Sequence, residues 1–239
     1  MKLARATKVF LTTAVAVVAL TVGFSGWTRS QNPTPTATPT QDEHNRLVDA
    51  VRRGGLREAA RIKGSYVATK NASWDAVFAD TESLTSHSAL VVVGVPVKSV
   101  SHLSSNGADV FTDLTVTVGE TLKSDQVPPV TAITVTVVGG YVTFDDGTSV
   151  NIQTPDLEIR EFSTYLFFLS EKDAQGLYHI IGGSQGVFEL RLGGDVIPHG
   201  RKTDLVVQKY KEAKVEDFLK EVRRAVEKWP ANNKCCRSN

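Results

Sequence analysis

The spacing of apolar positions changes character near Ala89. Before it, Leu47, Val48 and Val51 share one side of a stretch from Asp42 to Ile62 that Gly54-Gly55 interrupts. Apolar residues three and four apart mark a helix packed by one face. Trp74, Val77, Phe78 and Leu84 repeat that spacing and predict a second short helix over 73–84, with Ser73 as its cap. After Ala89 the period becomes two. The run "ALVVVGVPV" suits a buried strand. In "DVFTDLTVTVGE", Val110, Leu114, Val116 and Val118 share a face while Asp113, Thr115 and Thr117 point away. "TAITVTVVGG" repeats the pattern with Ile133, Val135 and Val137 inward. β-Branched residues within and threonines without are what a half-buried pleated surface favours.

Further strands are predicted at Tyr141–Phe144, Ser149–Ile152, "TYLFFL", "YHII" and "VFELRL". Asp146-Gly147, between the first two, is a strong hairpin signal. Short strands at close spacing predict a sandwich or barrel. The 88–199 stretch is sized for a five-stranded, partly open OB-like Greek-key barrel. Past Gly200 the helical period returns, with Val215, Phe218, Leu219, Val222 and Val226 forming one stripe and Pro230 just beyond it. The expected class is mainly β with flanking helices: N-terminal helices over 42–87, the OB-like β-barrel over 88–199, and an amphipathic helix with a loose tail over 200–239.

The first forty residues have another character. Lys2, Arg5 and Lys8 precede an apolar run from Val9 to Phe24, the layout of an export signal. Residues 1–26 are thus expected to be a cleaved signal peptide or an uncleaved anchor, making the protein secreted or membrane-attached. No cysteine near the end of that run supports a lipid-modified N-terminus. Residues 27–41, with the Pro/Thr alternation "NPTPTATPT", form an extended linker because proline fixes φ and lacks a donor.

Charge narrows the partners. Ser88–His199 carries five Lys/Arg against thirteen Asp/Glu, a net of −8, whereas 200–239 carries eleven against six, a net of +5. An acidic central body repels a phosphate backbone, which argues against nucleic-acid binding there. The only cysteines, Cys235 and Cys236, are adjacent near the C-terminus. Neighbouring cysteines cannot staple a core, and two thiolates without nearby His or carboxylates make a poor metal site.

One stretch states chemistry openly. Gly182-Gly183-Ser184-Gln185-Gly186 is a literal G-x-S-x-G, the spacing of a serine hydrolase's nucleophile elbow. An elbow needs a strand, a sharp turn and a helix. "YHII" supplies the strand, but "VFELRL" sets Val187, Glu189 and Arg191 against Phe188, Leu190 and Leu192, a strand period. Ser184 is therefore expected in a glycine-rich hairpin turn at the surface. Downstream partners reduce to His199 with Asp195 and Asp204 beside it. The five histidines, His44, His87, His102, His179 and His199, show no metal-ligand spacing, and His179 is expected on a sheet surface. Asp145-Asp146 and Glu171–Asp173 sit at turn signals where Asp is favoured anyway. Gly139-Gly140 has no helix after it to hold a phosphate. No catalytic, cofactor or metal residue is assigned, and no cofactor is expected.

"SHSALVVVGVPV", "FTDLTVTVGETLKSD", "TYLFFLSEK" and "YHIIGGSQGVFEL", in that order, resemble segments of exported bacterial proteins. Those proteins are similar to netrin-like domains, the OB-type module of the tissue inhibitors of metalloproteinases. The resemblance covers about half the chain and implies fold and compartment. It carries no inhibitory role, since that depends on an N-terminal cysteine and this chain has no cysteine before Cys235. The expectation is an exported, non-enzymatic module that binds a protein or cell-envelope component. A secreted or periplasmic hydrolase using Ser184 and a structural envelope protein are the alternatives.

Overall fold

A computed structural model describes residues 41–70, 76–124, 130–191 and 193–229. The expected signal or anchor, the Pro/Thr linker, Ser73, Trp74, Leu192, Pro230 and the two cysteines lie outside the described residues. Among the described residues no helix is long and apolar enough to cross a membrane.

Among the described residues the fold is mainly β, with one seven-stranded and one three-stranded mixed sheet and four helices. Helix α1 (Gln41–Lys63) bends at Gly55, where the paired glycines interrupt its pattern, and buries Leu47, Ala50, Leu56, Ala59 and Ala60. Asp42 and Glu43 in its first turn and Arg61 and Lys63 in its last complement the helix dipole. Between the two helices expected over 42–87 the chain holds a strand, β1 (Ser65–Thr69). Helix α2 (Thr81–His87) begins eight residues later than the expected Ser73. Asp80 and Ser83 form a capping box that fixes the start, satisfying two orphan backbone donors at once.

Strands β2 (Leu90–Leu103) and β3 (Val110–Lys123) form a long antiparallel pair, with register shifts at Val91/Val92, Val93/Gly94 and Pro96/Lys98. β4 (Ala132–Val138) continues the large sheet. β5 (Gly140–Thr143) and β6 (Ser149–Gln153) form the hairpin expected across Asp146-Gly147. That hairpin leaves the expected barrel, because β6 pairs in parallel with β1 to make the small sheet in the order β1-β6-β5. Tyr66, Ala68, Val142, Val150 and Ile152 point inward onto Leu56, Ala60 and Val110. The outer face then lies in three rows: Ser65–Ser149–Thr143, Val67–Asn151–Tyr141 and Thr69–Gln153.

The large sheet is completed by β7 (Tyr165–Leu169), β8 (Tyr178–His179), β9 (Val187–Leu190) and β10 (Val196–Pro198). Its order runs open from one end to the other, β10-β9-β7-β2-β3-β4-β8, so the sheet has seven strands in place of the five expected. β7 explains why "YLFFL" is continuously apolar. Tyr165, Phe167 and Leu169 face one core with Leu90, Val92, Leu114, Val116, Ile133 and Val135. Leu166 and Phe168 face the other core with Val91, Phe188 and three helices.

Those helices are α2, α3 (Leu205–Tyr210) and α4 (Val215–Lys228). The stripe on α4 docks as expected: Phe218 and Val222 are buried, with Val215, Leu219 and Val226 packed beside them. Burying Phe218 contributes about 2–3 kcal/mol before packing terms. The three helices are tied by Tyr210, whose hydroxyl donates to Glu221 Oε1 at 2.6 Å and accepts from the Thr81 N–H at 3.1 Å. Lys123, buried at the end of β3, donates to the Thr85 carbonyl at 2.7 Å, and burial pushes its ammonium below the usual lysine range.

Candidate functional site

The residues of the Ser184 motif do not form the expected hairpin. β8 and β9 are not partners. Both run antiparallel to β7 along the edge that β2 leaves free. Ile180 bridges Leu169, the Ile181 N–H donates to the Phe168 carbonyl at 2.9 Å, and Val187 then pairs with Phe167. The five residues between stand out of one interrupted strand. Gly182 (φ 66°) and Gly183 (φ 56°) turn the chain into a 3₁₀ turn over Gly183–Gly186, and Val187 resumes extended backbone.

This excursion is folded inward, which corrects the surface location expected for Ser184. Ser184 is 1% exposed and Gln185 2%. The Gln185 side chain accepts from the Phe78 N–H at 3.0 Å and donates to the Ala76 carbonyl at 3.4 Å, so it clamps the segment leading into α2. A Cβ on Gly186 would lie 2.2 Å from the Ile181 carbonyl oxygen, and one on Gly182 would lie 2.6 Å from the Phe78 ring. Close neighbours dictate both glycines, the Ile181 backbone at Gly186 and the Phe78 ring with a left-handed φ at Gly182. A strand, not a helix, follows the serine, so the helix N-terminus of a nucleophile elbow is missing.

The chain next to His199 comes near: a Cβ built on Gly200 would lie 3.6 Å from Ser184 Oγ. Yet His199 Nε2 is buried with no hydrogen-bond partner among the described residues, so it does not hold the serine hydroxyl. Its ring lies 5.9 Å from that of Tyr165. Burial holds the imidazole below its ordinary pKa, against the pull of Glu189 and Glu158. Asp204 is spent locally, accepting from the Arg201 N–H at 2.9 Å, and Asp195 pairs with Lys214.

The remaining histidines separate clearly. His44 is exposed on α1. His87 closes α2 with Nδ1 2.9 Å from the Ser83 carbonyl. His102 and His179 share the outer face of the large sheet, and each has a carboxylate. His102 Nε2 lies 3.2 Å from Asp113 Oδ2, and Thr136 Oγ1 donates to the other oxygen of that carboxylate. His179 Nε2 lies 2.9 Å from Asp173 Oδ2, while Asp173 Oδ1 accepts from the Gln175 and Leu177 N–H groups, each at 2.9 Å. The His179 bond and these backbone donors hold the Asp173 carboxyl below its usual range. The Glu171–Asp173 acid cluster thus serves a turn and an imidazole. Among the described residues no group of three or more His, Cys, Asp or Glu is placed to hold a metal.

Asp113, Thr136 and His179 fall in one register row across β3, β4 and β8, with Val100 of β2 at its end. Beside the row opens a hollow of about 90 Å³, bounded by apolar Phe111, Val138, Leu157 and Ile180 and by polar Thr136 and His179. The His102 ring lies 6.3 Å from Phe111. Gly183, where the buried turn begins, closes one end. A second hollow of about 220 Å³ lies between Thr115, Thr134, Lys172 and Tyr178, with the Lys172 ammonium 5.4 Å from the Tyr178 ring centroid. The Thr136 hydroxyl donates to Asp113, and His179 Nε2 is engaged by Asp173. The arrangement suits holding a ligand: apolar walls with a few fixed polar groups.

Sequence reasoning missed the His102–Asp113 and His179–Asp173 pairs. The second could have been found from its spacing across a tight turn. The first depends on strand register. No family model matches the chain, and no curated protein matches it.

Proposed function

We propose that the chain is an exported, non-catalytic OB-like binding module of the cell envelope, and that it binds through the outer face of β2, β3, β4 and β8. The observation that carries this reading is the apolar hollow on that face, lined by the carboxylate-held imidazole of His179 and by Thr136. A pocket with convergent polar groups is the default binding site of such a fold. The OB-like reading draws support from the pairing sequence β7–β2–β3–β4–β8, with Ile180 returning to Leu169 of β7. β8 and β9 then count as one strand interrupted by the glycine turn, giving five strands in cyclic order with a parallel β4–β8 step. This is also the region whose segments resemble the netrin-like module.

The basic start, apolar run and Pro/Thr linker support export, and the acidic central body speaks against nucleic acid as partner. The hydrolase reading is weakened by the burial of Ser184, by the strand that follows it and by the unpartnered Nε2 of His199. A photo-crosslinking side chain at exposed Ala132, in the full chain expressed in an exporting bacterium, tests the reading. A discrete adduct in the envelope fraction is expected from Ala132 and none from Lys220 on α4. Absence of any adduct from the face, or unprocessed protein in the cytosol, would favour the structural reading or refute export.

A further inference from the structure

The outer face of the small sheet carries no charged side chain in its three paired rows. Charged residues make up 22% of the chain, and they ordinarily fill solvent-facing positions. The other outward face has Lys98, Asp113, Lys172 and Asp173 in or beside it. Here three register rows present only hydroxyls, two amides, a valine and a tyrosine. Tyr141 is 57% exposed and Val67 58%. Tyr141 shares this face with Thr143, two residues along β5, and with Ser149 opposite Thr143. The Tyr141 N–H also donates to Ser101 Oγ at 3.3 Å, which ties this edge strand to β2.

We propose that this face binds an uncharged glycan chain built of N-acetylhexosamine, laid across the Val67–Asn151–Tyr141 row. A charged ligand would bring groups that nothing on the face can pair, and desolvating an unpaired charge is costly. A protein partner needs several large apolar anchors at the centre of its footprint, and the face offers one ring and one valine. A pyranose has flat C–H faces and a polar rim. An exposed aromatic ring receives the former, and the amides of Asn151 and Gln153 meet the latter. The acetamido group fixes the sugar class. It presents one N–H donor and one carbonyl acceptor, the pair that a side-chain amide presents in return. Val67 is the one aliphatic group on the row to receive its methyl.

Calorimetric titration of the full chain with chitohexaose tests this site. Saturable binding is expected, and Tyr141→Ala and Asn151→Asp should each weaken it by about tenfold or more. Tyr141→Phe, which keeps the ring, should retain most of the affinity. Asn151→Asp changes shape least, so its melting curve should match the parent's and a loss of binding there is not a loss of fold. No binding of chitohexaose, equal binding of cellohexaose, which lacks the acetamido group, or parent-like affinity in both variants would each overturn the proposal.

Discussion

Two of the glycine turns between strands in this molecule do opposite work. At Asp146-Gly147 the chain simply reverses. Gly147 has φ 78°, a Cβ there would meet nothing within 4 Å, and the turn is closed by the Phe144 N–H donating to the Thr148 carbonyl at 2.9 Å. At Gly182–Gly186 the chain does not reverse. It leaves one edge of β7, folds inward to place Ser184 and Gln185 in the core, and returns to the same edge. The first turn is a local conformation and the second is a packing element. The lesson concerns motifs: the glycines of a G-x-S-x-G can be required by packed neighbours that leave no room for side chains.

The largest expected effect separates the turns by steric logic. Gly186→Ala must push a Cβ against the Ile181 carbonyl, and backbone cannot yield cheaply, so a loss of about 3 kcal/mol is expected. Gly147→Ala should lose only about 1–2 kcal/mol, the cost of a left-handed backbone in open space. Urea midpoints of the two variants check the ordering, and equal losses would mean that the second turn is as local as the first. Between these lies Gln185→Ala. It strands the buried Phe78 N–H, which should cost about 1–3 kcal/mol, and it should speed proteolysis ahead of α2.

Acid should also distinguish the two regions. Near the second turn, burial of His199 keeps its folded pKa below the ordinary 6.5. The unfolded chain therefore binds this proton first. The contribution of neutral His199 is whole above about pH 6.5 and drains away as the pH falls below it. At the first turn, the hydroxyl and backbone N–H of Thr148, with Arg61 and Arg57 nearby, lower the Asp146 carboxyl to about 2. Its contribution is held above its ordinary 3.8 and is lost as the pH falls through about 2. Acidifying from about pH 7 to about pH 5 should thus lower the urea midpoint through His199. His199→Gln should flatten that dependence and Asp146→Asn should leave it unchanged.

The same contrast explains what was legible in the sequence. Asp146-Gly147, the alternation in β3 and β4 and the stripe on α4 are local signals, and the structure keeps each. Asp80 and Ser83, a legible capping pair, were passed over for Ser73 because Trp74 and Val77 extended an apparent helical repeat. Ser65–Thr69 did not read as a strand because its partner β6 lies far along the chain; Ser149 Oγ meets Ser65 Oγ across 84 residues. Among candidate site residues, the exposed position of His179 could be read from alternation. The His102–Asp113 pair could not, because register shifts along β2 decide which side chains become neighbours. The burial of Ser184 was equally hidden, since it follows from β8 and β9 sharing one edge of β7.

The smallest expected change in folding carries the most weight for function. Ser184→Ala removes one hydroxyl from a turn held by Gln185 and the glycines, and stability should move by no more than about 1 kcal/mol. The decisive measurement is intact-mass analysis of the folded full chain after exposure to a fluorophosphonate. A serine that is 1% exposed, followed by a strand and unlinked to His199, should remain unlabelled. Stoichiometric labelling that disappears in Ser184→Ala would make this turn a catalytic elbow and contradict the binding-module account.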